Sequence, residues 1–119
     1  MEKTPLQGEI WNLDFNPVRG HEQGGYRPGL VLSRNAFNRI GLGLIVVAVI
    51  GTKSFIPEFQ VKIDPPTGGV TERSFILAHQ VRTISTDRLV NRRGQVPAEV
   101  LQSVLDITVS MISVPKIYE

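Results

Sequence analysis

Apolar and polar residues alternate along 10–15: Trp11, Leu13 and Phe15 fall on one side, Asn12 and Asp14 on the other. A period of two predicts a half-buried strand. Asn16-Pro17 ends it. The stretch 18–26, with three glycines and little apolar content, reads as a loop closed by Arg27-Pro28. The apolar run 29–32 predicts a short buried strand, and Ser33 is placed to cap one or two helical turns over 34–38. Segment 44–50 is rich in β-branched residues and too short to favour a helix, which makes it the expected central strand, stopped by Gly51. Residues 59–63 alternate again, 64–69 carry turn chemistry, and 74–77 and 81–84 predict two further extended pieces. Only the end changes period. From Pro97, Val100, Leu101, Val104, Leu105, Thr108, Met111 and Ile112 recur at helical spacing, and Pro115 is the expected stop. The expected fold is mainly β (α+β), a curled sheet of about five to seven short strands with one C-terminal helix over 97–112 covering an edge or end.

The chain has 119 residues, which suits one domain over 1–119, with 1–7 and 113–119 as tails. No repeat, low-complexity tract or linker divides it. It has no cysteine, which excludes disulfides and thiolate zinc sites and makes the cytoplasm the expected compartment. The first residues have no apolar stretch behind Lys3 and do not read as a signal peptide. The longest apolar run, 42–50, is far short of the roughly 20 residues a membrane span needs. Thirteen Lys and Arg against eleven Asp and Glu give a net charge of +2, too small to name a partner, but nine of the thirteen cations are arginine. Arginine's planar fork fits phosphate through two hydrogen bonds, so the placement of these side chains decides what they bind.

The chemical inventory is narrow. Two histidines, His21 and His79, make no metal cluster, the acidic residues lack ligand spacing, and no P-loop is present. No cofactor is expected. The loop 19–28 carries Arg19, His21, Tyr26 and Arg27 with no apolar face to bury them. Arginine there suits phosphate, Tyr26 suits base stacking and His21 suits proton transfer, although a solvated glycine-rich loop needs polar residues in any case. In an extended 79–83, His79 and Val81 face one way and Gln80 and Arg82 the other, so one solvent face does not explain both polar pairs. Arg82 also suits an internal anchor. Arg92-Arg93, before Gly94, reads as a solvated turn or a backbone contact for nucleic acid, and Thr52-Lys53-Ser54 offers hydroxyls and an ammonium at the end of the central strand.

These residues carry a resemblance. Gly8-Glu9-Ile10-Trp11, Asn16-Pro17, the run from Gly20-His21-Glu22-Gln23-Gly24-Gly25-Tyr26-Arg27-Pro28 to Ser33, Ala36-Phe37-Asn38-Arg39, Gln80-Val81-Arg82-Thr83-Ile84 and Pro97-Ala98-Glu99-Val100-Leu101 together resemble the MazF/PemK family, toxins of type II toxin–antitoxin systems. The resemblance implies an SH3-like barrel with a C-terminal helix, a homodimer, and metal-free, sequence-selective cleavage of single-stranded mRNA by 2′-OH attack. It also implies restraint by a MazE-like antitoxin whose acidic tail covers an arginine-lined groove.

It further implies roles. Arg27 matches the family's catalytic arginine. At the family's catalytic threonine this chain has Gly51, with Thr52 under the following serine. His21 matches a loop histidine used by PemK-type members, whose Arg-x-Asp pair is replaced by Leu77 and His79. The expected catalytic set is therefore Arg27, Thr52, His21 and His79. RNA is expected to meet Arg19, Gln23, Tyr26, Lys53, Ser54, Gln80 and Arg82, with loops 52–58 and 65–71 choosing the sequence. Two other readings compete. The displaced threonine and missing pair allow a catalytically impaired RNA-binding or antitoxin-binding member. A gyrase poison of the CcdB type shares the fold but depends on a C-terminal Trp-Gly-Ile, whereas this chain ends Pro115-Lys116-Ile117-Tyr118-Glu119 and its single tryptophan is Trp11.

Overall fold

The computed structural model describes residues 4–17, 19–22 and 24–114. Six strands form one antiparallel sheet: β1 Glu9–Asp14, β2 Tyr26–Val31, β3 Leu44–Gly51, β4 Gln60–Ile63, β5 Ser74–Ser85 and β6 Leu89–Gln95. A short helix α1, Asn35–Arg39, links β2 to β3, and α2, Ala98–Ile112, closes the described chain. The strand order is β4-β5-β3-β2-β1-β6, so β4 and β6 are the edges and the curled sheet does not close.

β3 lies between β2 and β5 and is covered on both faces, which explains its unbroken apolar sequence. Ala48 and Ile50 join Ile10, Leu30, Ile76 and Val104 of α2 in one core. Ile45, Val47 and Val49 join Leu13, Phe15, Val31, Ile84 and Leu89 in the other. Gly29 makes the second core possible at β2, because a Cβ there would stand 2.6 Å from Leu13 Cδ1 and 3.1 Å from Phe15 Cζ.

The structure departs from the sequence expectation in four places. The two pieces 74–77 and 81–84 are a single strand, β5. Its register against β3 jumps from Leu77 opposite Val49 to Val81 opposite Ala48, so Ala78, His79 and Gln80 form a bulge that replaces the expected break. Thr108 of α2 donates to the Ala78 carbonyl at 3.2 Å and satisfies an acceptor at that bulge. Arg92, Arg93 and Gly94, read as a turn, lie inside β6, a largely exposed edge strand with no apolar alternation to reveal it. Ser33 is not the cap of α1; Arg34 is. The Ser33 hydroxyl instead donates to Asn38 Oδ1 and accepts from the Val46 amide, tying α1 to β3. Pro97 holds the N-cap of α2 and its carbonyl accepts from the amides of Val100 and Leu101. The expected stop at Pro115 lies outside the described residues; the last helical residue is Ile112, ahead of a Ser113 amide bonded to the Val109 carbonyl. Among the described residues no helix is long and apolar enough to cross a membrane.

Candidate active site

The loop between β1 and β2 is held at its root. The Phe15 amide donates to the Gly25 carbonyl at 3.0 Å and the Gly25 amide to Asn16 Oδ1 at 3.0 Å. Two arginines distant in sequence, Arg82 of β5 and Arg88 in the turn before β6, then take the carbonyls of three consecutive residues. Arg82 Nη1 donates to Phe15 O at 3.0 Å with its guanidinium over the Phe15 ring, and Arg88 Nη1 donates to Asp14 O at 3.0 Å and to Asn16 O. Charge-assisted bonds of this kind fix a loop more firmly than neutral ones.

At the exit of that loop, Arg27 Nε donates to the Gly24 carbonyl at 2.6 Å, which turns the half-buried guanidinium across β2 toward the end of β3. There Gly51 presents no side chain: Arg27 Nη1 lies 3.5 Å from the point where a Cβ would stand. Around this contact is an open cleft of roughly 270 Å³, lined by Tyr26, Arg27 and Pro28 of β2, by Ile50, Gly51 and Thr52 at the end of β3, by Val70, Thr71, Glu72 and Ser74 leading into β5, and by Arg93 of β6. Strand ends meet here, and a fixed cation, hydroxyls and an exposed aromatic share one hollow. Tyr26 is 74% exposed, a ring free to stack.

The structure brings together Tyr26, Arg27 and Thr52 of the expected residues. Lys53 and Ser54 follow Thr52 in the exposed loop; the Ser54 hydroxyl accepts from Gln60 Nε2 at 2.6 Å and the Phe55 amide donates to Gln60 Oε1 at 3.0 Å, so β4 pins that loop. Arg19 and His21 are exposed in the β1–β2 loop, where the Arg19 amide donates to Glu22 Oε1 at 2.6 Å. Gln23 lies outside the described residues. His79 and half-buried Gln80 sit on the β5 bulge, away from the cleft lining, with His79 Nδ1 at 3.5 Å from the Phe59 carbonyl. Arg82 spends its guanidinium on Phe15. No cluster of His, Asp and Glu that could hold a metal occurs among the described residues.

Thr71, the last residue of the expected specificity loop 65–71, lines the cleft, whereas sequence reasoning missed Glu72 and the cleft position of Arg93. It also missed the division of Arg92 from Arg93. Arg92 Nε pairs with Glu9 Oε2 at 2.6 Å, and Glu9 Oε1 accepts from the Leu6 amide at 2.7 Å and Trp11 Nε1 at 3.0 Å. Burial alone would push the Glu9 carboxyl up, but the Leu6 and Trp11 donors and the Arg92 charge outweigh it and hold the group below its ordinary 4.5.

A curled open sheet with an arginine-centred cleft at its strand ends defines a small mainly-β protein with a candidate site at those ends. The chain belongs to the family of PemK-like, MazF-like toxins of type II toxin–antitoxin systems, whose profile matches residues 6–109. It is 37% identical over 97 residues to the endoribonuclease MazF9 of Mycobacterium tuberculosis, an alignment covering 77% of this chain and 82% of that protein. The fold is similar to the crystal structure of MazF from Deinococcus radiodurans, with a TM-score of 0.81 and 31% identity over 93% of this chain and 98% of that one. It is also similar to a chain of the MazE–MazF crystal structure from the same organism, with a TM-score of 0.77 and 30% identity over 96% of this chain and 100% of that one.

Proposed function

We propose that the chain is the toxin of a type II toxin–antitoxin system and acts as a metal-independent, sequence-selective endoribonuclease on single-stranded mRNA. The observation that carries this reading is the Arg27 guanidinium, anchored on Gly24 and held across Gly51 in an open cleft with Thr52 and Tyr26. Metal-free cleavage of RNA needs a base to take the 2′-OH proton, positive charge for the phosphorane, and an acid to protonate the departing 5′-oxygen. Arg27 supplies the charge: its fork donates to the non-bridging oxygens as O2′ bonds to phosphorus. As the P–O5′ bond breaks, a proton reaches O5′, leaving a 2′,3′-cyclic phosphate and a 5′-hydroxyl. Thr52 hydrogen-bonds the reacting phosphate. His21 carries the proton, with His79 the competing carrier. Tyr26 stacks a base, and Arg19, Gln23, Lys53, Ser54 and Gln80 contact flanking nucleotides.

The antitoxin is a MazE-like protein, supported by the Deinococcus relative having been crystallised with MazE. An acidic segment that folds on binding suits the arginine-bearing cleft. A homodimer is supported by exposed apolar side chains at Ile40, Leu42 and Leu44 before and within β3 and at Val109 and Ile112 of α2. The cytoplasm is the compartment where mRNA substrate is met.

Incubating the purified protein with a long single-stranded RNA in EDTA tests the reading. Cuts at a short recurring sequence, leaving 2′,3′-cyclic phosphates, are expected, and Arg27→Ala should lose at least about 10²-fold in turnover. Intact but bound RNA would favour the impaired member.

A further inference from the structure

Adjacent arginines in β6 have opposite fates, and the cause is a register shift. Glu9 pairs with Gln95 and Ile10 with Gly94, but Trp11 pairs with Arg92, so Arg93 is the extra residue of a bulge. Bulges re-aim a side chain and are frequent beside sites. Here Arg92 turns to Glu9 while Arg93 turns into the cleft that Arg27 occupies.

Three glycines hold Arg93 in place. A Cβ on Gly94 would stand 2.6 Å from the Gly68 carbonyl carbon and 2.7 Å from its oxygen; one on Gly69 would stand 2.3 Å from the Arg93 carbonyl oxygen. Without side chains the 3₁₀ turn Thr67–Gly69 docks backbone against backbone on β6. Its Gly69 carbonyl then accepts from Arg93 Nη2 at 2.8 Å and Nε at 3.3 Å, and Asn12 Oδ1 accepts from Nη1 at 3.2 Å. These partners are neutral. Neither ion pair among the described residues, Arg73–Asp64 or Arg92–Glu9, involves Arg93. A guanidinium has five N–H donors, and these three bonds leave one on each Nη. Donors left on both terminal nitrogens suit the oxygens of a phosphate.

We propose that Arg93 is a second phosphate-binding arginine of the cleft, taking a backbone phosphate of the RNA next to the one that Arg27 faces. The inference rests on the ribonuclease reading and names a substrate contact that the resemblance does not supply. Arg27 stabilises the reacting phosphorus; Arg93 sets the register of the strand, fixing which phosphodiester meets Arg27.

The test uses the purified full chain and an RNA spanning a mapped cut, with a 2′-O-methyl group at the cleavage step so that it binds without reacting. Arg93→Gln should weaken binding about tenfold at moderate salt, and should lower the slope of log affinity against log salt by about 0.7, the share of one phosphate on a single strand. Arg93→Lys should keep the slope and recover part of the affinity. A folded Arg93→Gln protein with unchanged affinity and slope overturns the proposal. So does lost affinity at unchanged slope, which marks Arg93 as support for the 67–69 turn alone. Should Arg93→Gln not fold, neutral methylphosphonates placed one at a time in the RNA report on the wild-type protein: sensitivity at a phosphate beside the cleavage step is expected, and sensitivity at that step alone overturns the proposal. Failure of the ribonuclease reading is separate, since a wild-type protein that neither cuts nor binds RNA removes both.

Discussion

The guanidinium of Arg27 faces Gly51 with Nη1 3.5 Å from where a Cβ would stand, and the other near atom, Leu77 Cδ1, is 4.0 Å away. Both are ordinary van der Waals distances, and the Gly51 backbone is not in the left-handed region. The position therefore has room for a hydroxyl beside Arg27, yet the hydroxyl in this chain comes from Thr52, one residue on. Thr52→Ala is expected to lower single-turnover cleavage by about 10²-fold, as removal of a donor from the charged transition state does. Adding Gly51→Ser to it should restore part of that rate, with no loss of thermal stability. Full activity in Thr52→Ala alone would place the reacting hydroxyl elsewhere.

The two histidines are separated by the fold. His21 is in the loop whose root and exit position Arg27, whereas His79 rides the β5 bulge facing the Phe59 carbonyl. His21→Ala should remove a limb of the pH–rate profile and lower turnover by about 10²-fold or more, in the range of general acid–base catalysis, roughly 10²–10⁴. His79→Ala should change turnover less than about threefold and leave the profile intact. The reverse pattern would move proton transfer to the bulge.

Glu9 links folding to acidity. Its side chain is 8% exposed and meets Arg92, which is 46% exposed, together with the Leu6 amide and Trp11 Nε1. Because the folded carboxyl titrates below its unfolded value of about 4.5, the stability it contributes is fully present above that value. It is lost as pH falls through the folded value. Urea midpoints should hold steady from neutrality to about pH 5 and drop below about pH 4. Glu9→Gln should cost about 1–3 kcal/mol at pH 7 and flatten that acidic drop. A variant with an unchanged acidic slope would assign the drop to other carboxylates.

Much of the fold is legible in the sequence because burial writes itself as periodicity. Trp11, Leu13 and Phe15 alternate because one face of β1 meets a core, and 44–50 is continuously apolar because β3 is covered on both sides. β6 is invisible for the same reason, since an exposed edge strand leaves no apolar signature. Legibility of the site is uneven. Arg27 and Tyr26 stand out in a loop with nothing to bury them. The arginine count misleads, because Arg73, Arg82, Arg88 and Arg92 bind Asp64, Phe15, Asp14 with Asn16, and Glu9 of their own chain. A guanidinium satisfies a carbonyl or carboxylate as readily as a phosphate, and only the register of β6 shows that Arg93 differs from Arg92.

That register depends on Gly94. A methyl group there would meet Gly68 and Gly69 backbone atoms at 2.6 to 2.9 Å, and backbone, unlike a side chain, has no rotamer to turn away. Gly94→Ala must lift the Thr67–Gly69 turn off β6, breaking the bonds from Arg93 Nε and Nη2 to the Gly69 carbonyl. A cost of about 2–3 kcal/mol is expected, read as a lower urea midpoint. Gly51→Ala, where the nearest contact is 3.5 Å, serves as the control and should lose nothing measurable. If the turn positions Arg93 for RNA, Gly94→Ala assayed well below its midpoint should also lose the salt slope that Arg93→Gln loses, and the double variant should lose no more than either alone, because both remove the same phosphate contact. Additive losses would mean that the turn and Arg93 act on RNA independently, with Gly94 shaping the 67–72 wall of the cleft instead.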